Sequence, residues 1–151
     1  MQSTDLKSRR PKTNLLLWIL QVLLAVFFFM AGMPKAFQPL NEISETITWV
    51  PDVAPPLVRF IGISEILGAV GLLVPALTRL FPVLTTYAGA GLSLVMLAAS
   101  VFHGTRGEMV PALSTFMVFV IALFMTYGRW KLVPIPARKG SSGDTQAFSH
   151  S

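Results

Sequence analysis

Six side chains of the 151-residue chain combine titratable chemistry with an apolar setting: Lys35, Arg59, Glu65, His103, Arg106 and Glu108. Glu65 interrupts the apolar stretch from Leu57 to Val74 near its middle. On insertion scales a charged group at a lipid-facing helix centre costs roughly 2.5–3.5 kcal/mol. Such a residue is therefore kept by a partner or by a function. Gly62, Gly68, Ala69 and Gly71 surround it, and small residues let a second helix come close. The Glu65 face is expected to point into a helix bundle.

Arg59 is a poor partner for Glu65, because six residues along a helix turn the chain through about 600° and leave the two side chains apart. Better candidates come from other helices, namely Lys35 at the end of the first apolar stretch and His103 at the end of the third. Each residue also has a plainer reading. Arg59, Arg106 and Glu108 fit solvated or snorkelling interface positions. Lys35 fits an anchor just past a span end, and His103 a capping histidine. A Glu65 ion pair that only locks helix register would satisfy the same pattern.

The elements that position these groups follow from hydropathy. The chain is 53% hydrophobic and only 13% charged, against about 25% charged for a soluble domain. Four stretches stand out: Leu15–Met33, Leu57–Val74, Phe81–Phe102 and Val110–Tyr127. Each matches a hydrocarbon core of about 30 Å at 1.5 Å per residue. Transmembrane strands would alternate apolar and polar residues, and Leu15–Leu17 and Phe27–Phe29 do not. The fold expected is all-α, a polytopic membrane protein with a four-transmembrane-helix bundle. Pro34, Pro39, Pro51, Pro55, Pro56 and Pro75 punctuate the stretches, Pro82 opens the third, and Pro111 sits in the first turn of the fourth.

Three segments result: a basic tail at 1–14, the four-helix domain at 15–130, and a disordered tail at 131–151. The loop from Pro34 to Pro56 is long for a connection between adjacent helices and carries Ile43, Ile47 and Trp49. It is expected to hold a short helix lying on the membrane interface. Nine Lys or Arg residues, Arg129 among them, fall on the side of the two tails; Lys35, Arg59 and Arg106 fall on the other. By the positive-inside rule both termini are expected in the cytoplasm, in a plasma (inner) membrane. The six titratable groups then gather in the outer half. A cleaved signal peptide fits less well, because the 19-residue first run is too long and no small-residue cleavage site follows it.

The absence of cysteine removes disulfides, thiol redox steps and the usual zinc frameworks from this chain. Neither a glycine-rich dinucleotide fingerprint nor a P-loop is present. Of the two histidines, His150 lies in the tail, so a bis-histidine haem is not expected. The net charge of +5 lies largely in the tails, not on a compact polar face, and no nucleic-acid partner is expected. No metal site and no catalytic residue is assigned.

Arg59-Phe-Ile-Gly-Ile-Ser-Glu65-Ile-Leu-Gly-Ala-Val-Gly-Leu-Leu-Val-Pro75 resembles the second span of DoxX-like membrane proteins. The run Ala88 to His103 resembles the third, ending in the His-x-x-Arg-Gly-Glu turn at 103–108. Ala31-Gly-Met-Pro-Lys35 and Tyr127-Gly-Arg129 resemble the ends of the first and fourth. The resemblance covers about residues 15–130 and implies a four-helix membrane bundle with matching polar positions at Lys35, Arg59, Glu65 and His103. Some relatives are small subunits of quinone-linked sulfur oxidoreductases, some associate with redox-defence proteins, and an animal branch assists assembly of ion-channel receptors.

The reading that results is an accessory membrane subunit of a quinone-linked redox system, not an enzyme on its own. Its expected partners are the lipid bilayer, a membrane oxidoreductase and a second copy of itself. Glu65 and His103 would hydrogen-bond a quinone-like head group, with Lys35 and Arg59 in the same polar cluster. The rivals are a non-enzymatic assembly factor and a small proton-coupled transporter.

Overall fold

The computed structural model describes residues 3–138, with side chains from residue 11 onward. Its elements are α1 (Ser3–Phe37), the short α2 (Leu40–Ser44), a 3-10 turn (Val50–Asp52), α3 (Pro55–Thr78), α4 (Val83–Thr105), α5 (Met109–Tyr127) and a π-turn (Gly128–Leu132). No strand occurs among the described residues. Four segments are long and apolar enough to cross a membrane: Pro11–Phe37, Pro55–Thr78, Val83–Thr105 and Met109–Leu132.

The helices pack in the order α1–α3–α4–α5, with α5 returning lightly onto α1. Leu24, Phe28, Leu72, Leu92, Met96 and Met125 form the central core. Large apolar side chains such as Leu23, Phe29, Leu67, Val101 and Leu123 are exposed on the outer surface. So extensive an apolar surface is unfavourable in water and natural in lipid, which makes the molecule a multi-pass membrane bundle.

The prolines behave differently from their expected role as stops. Both Pro34 and Pro75 lie inside helices, which run on to Phe37 and Thr78. An internal proline forfeits one hydrogen bond, and neighbouring helices can offset that loss in a membrane bundle. Pro75 is itself fully packed. At the same turn the Leu72 carbonyl accepts a 2.6 Å hydrogen bond from Gln21 Nε2 of α1. What stops α3 is Arg79, in the left-handed region at φ 58°, with Phe81 following at φ 49°.

The 38–54 connection folds back on the bundle. Ile43, Val50 and Val58 form a second small core, with Leu40, Ile47, Trp49 and Val53 packed on it. The short helix expected in this loop is α2. At the opposite end, residues 133–138 of the expected tail run beside the α3–α4 turn, where Arg138 N–H donates to the Arg79 carbonyl at 3.1 Å. Residues 139–151, the rest of that tail, lie outside the described residues.

Candidate functional site

Close approach of α1 and α3 creates the site. A Cβ on Gly62 would lie 2.6 Å from Ala36 N and 2.8 Å from Gly32 O, and one on Gly32 would lie 2.7 Å from Gly62 O. These are backbone atoms that no side-chain rotation can move. Only glycine permits this crossing. It brings Lys35 against Glu65, and Lys35 Nζ donates to both carboxylate oxygens, at 2.8 Å and 2.7 Å. Glu65 is 1% exposed. Arg59 Nη1 donates to the Lys35 carbonyl at 2.9 Å, satisfying one of the carbonyls a helix end leaves open.

Of the two candidate partners for Glu65, the geometry therefore selects Lys35. His103 turns elsewhere, because the α4–α5 turn folds back through Gly107 at φ 73°. The Glu108 N–H closes it onto the His103 carbonyl at 3.0 Å. That places the Glu108 carboxylate 2.5 Å from His103 Nδ1. Arg106 bridges Glu108 (Nε, 2.9 Å) and Asp52 of the α2 loop (Nη1, 2.8 Å). The hydrogen bond from His103, then that from Arg106, holds the Glu108 carboxyl below the usual carboxylate range. Arg106 is shifted upward by its hydrogen bonds to Glu108 and then Asp52. Glu108 thus stays ionised at neutral pH and accepts a hydrogen bond from the Nδ1–H, which leaves Nε2 as the ring atom available to a ligand.

Lys35, Glu65 and His103 line one cavity of about 470 Å³ between α1, α3 and α4. Its walls are mostly apolar and include Phe27, Phe60, Ile61, Met96 and Ala99, with Trp49 and Val53 from the α2 loop. That volume falls within the range typical of small-molecule sites. Arg59 does not line it. Its role is to hold the Lys35 turn from behind. The cavity can offer the third N–H of Lys35, a donor beyond the two engaged by Glu65, and the Nε2 edge of His103. No group of three or more His, Asp or Glu suited to a metal occurs among the described residues.

The family model for the DoxX-like family matches residues 19–143. The chain belongs to the DoxX-like family. No curated protein and no solved structure matches it.

A second polar cluster, at the opposite end of the bundle, escaped the residue-type analysis. By charge count Arg129 is one of the nine basic residues on the side of the tails, yet it is 3% exposed. Its Nε donates to Gln21 Oε1 at 2.8 Å and its Nη1 to Asn14 Oδ1 at 2.8 Å. The signal available was Gln21, the one polar break in the first span. A buried amide in lipid requires a partner as surely as a buried carboxylate does.

Proposed function

We propose that this DoxX-like protein holds a small, largely apolar molecule with a hydrogen-accepting head group, such as a quinone, as an accessory subunit of a membrane redox system. The observation that carries the reading is the single cavity shared by Lys35, Glu65 and His103 beneath apolar walls. A ring carbonyl would accept from Lys35, while the His103–Glu108 pair supplies a titratable group of the kind proton-coupled reduction uses. The electron-transferring centre belongs to a partner oxidoreductase. The charge distribution favours a plasma-membrane orientation with both termini in the cytoplasm, which puts the cavity in the outer half.

The transporter reading is less favoured, because the packed Phe28–Leu72–Met96–Met125 core lies between the two polar clusters. The test uses Trp49, which lines the cavity. A soluble short-chain quinone titrated into detergent-purified protein with Trp18 and Trp130 replaced by Phe is expected to quench the Trp49 fluorescence saturably. Ala99→Phe, which fills the cavity, should abolish saturation while the thermal unfolding transition persists. Equal saturable quenching in Ala99→Phe would refute the reading, and so would linear, non-saturable quenching of the parent protein.

A further inference from the structure

Among the described residues the buried Arg129 has no counter-charge. Its hydrogen-bond partners Gln21 and Asn14 are neutral, and its guanidinium stacks 5.0 Å from the Trp18 ring centroid. Nη2 is buried and has no hydrogen-bond partner among the described residues. The five carboxylates whose side chains are described, Glu42, Glu45, Asp52, Glu65 and Glu108, belong to the α2 end of the bundle. A desolvated cation is ordinarily paired, since removing it from water costs several kcal/mol.

Beside Arg129 lies a cavity of about 120 Å³ that Arg79 also lines, with Asn14, Trp18 and the 133–136 segment around it. Arg79 is exposed, and no side chain among the described residues hydrogen-bonds or ion-pairs with it. Two guanidinium groups, one from the α3–α4 turn and one from the π-turn after α5, a spare N–H and a cavity of this size together match a tetrahedral oxyanion, which arginine binds through paired N–H donors. The cavity sits at the end of the spans, where Lys131 lies 4.1 Å over the ring centroid of the exposed Trp130. Tryptophan and basic side chains mark the head-group level of a bilayer.

We propose that Arg129 and Arg79 form a binding site for a phosphoryl oxyanion, supplied by the head group of an anionic phospholipid. The site is separate from the α2-end cavity and does not depend on that cavity's ligand. An occupying oxyanion would neutralise Arg129 and tie Arg79, just past the end of α3, to the π-turn after α5, beside the backbone hydrogen bond from Arg138 to the Arg79 carbonyl.

The test is native mass spectrometry of the full chain titrated with phosphatidylglycerol or phosphatidylcholine, with and without millimolar inorganic phosphate. Phosphatidylglycerol is expected to bind more tightly than phosphatidylcholine. Arg79→Gln alters an exposed side chain and leaves the fold intact, and it should weaken phosphatidylglycerol about fivefold, the usual effect of one basic residue at an anionic surface. Arg129→Gln should remove the preference or unfold the end of the bundle, so Arg79→Gln carries the decision. Phosphatidylglycerol retained through the phosphate challenge assigns the site to a lipid head group. Displacement by phosphate, with the same loss in Arg79→Gln, supports the oxyanion site and assigns it to a free anion. Equal binding of the two lipids, or an Arg79→Gln variant indistinguishable from the parent, overturns the proposal.

Discussion

Breaking the Lys35–Glu65 pair should cost far more than removing it whole. At 2.7 Å and an effective dielectric of about 20, the two charges attract by about 6 kcal/mol before desolvation is subtracted. Both side chains are withdrawn from solvent, Glu65 at 2% and Lys35 at 12% side-chain exposure. Lys35→Met leaves a carboxyl group among apolar walls, and Glu65→Leu leaves an ammonium there. Each single change is expected to destabilise by about 3–5 kcal/mol, the usual consequence of stranding one buried partner. The double variant loses no such compensation and should lie within about 1–2 kcal/mol of the parent. Equilibrium unfolding in mixed micelles, run as a double-mutant cycle, gives the coupling directly. Single variants that each lose under about 1 kcal/mol, or a double variant whose loss equals the sum of the singles, would refute the claim that this pair locks α1 to α3.

Three further outcomes follow from the same geometry. Gly62→Ala sets a methyl against the α1 backbone and should destabilise by at least about 2 kcal/mol; Gly91→Ala, where nothing stands within 4 Å, serves as the control in the same unfolding assay. Glu108 has a lowered carboxyl pKa because of His103 and then Arg106, so its contribution is present above the ordinary carboxylate value near 4.3 and lost as pH falls through the lower folded value. In a variant with Trp18 and Trp130 replaced by Phe, emission from Trp49, edge-on to Phe102 at 6.2 Å, should accordingly show an acid transition below a pH of about 4.5. In Glu108→Gln that acid transition should be missing, and a transition retained unchanged would exclude Glu108 as its source. In the quinone titration, His103→Gln should weaken binding without abolishing it, because Lys35 remains as a donor; unaltered affinity would remove His103 from the ligand contacts.

Hydropathy alone was enough to place the four spans, because bilayer thickness imposes a length that any spanning helix must meet. The need of Glu65 for a partner was legible for a similar reason: an isolated charge in lipid is costly wherever it sits. Helix ends were less legible. Pro34 and Pro75 read as stops along the chain, and only packing around them lets the helices continue. Apolar residues in the 38–54 connection indicated a helix without showing that Trp49 and Val53, beyond it, would wall the cavity.

The choice among partners was tertiary. Lys35 and His103 were equally plausible for Glu65 as residue types at matching span ends. The backbone contact of Gly32 with Gly62 sets the distance for one, and the Gly107 turn hands the other to Glu108. Arg129 makes the same point at the far end of the bundle, since by composition it is one more basic residue after a span. Its burial depends on Gln21 and Asn14, more than a hundred residues earlier in the chain. One-dimensional pattern records which residues must leave water, because transfer free energy belongs to each side chain separately. Which of them meet depends on helix crossings, and those are set by contacts between positions distant in sequence.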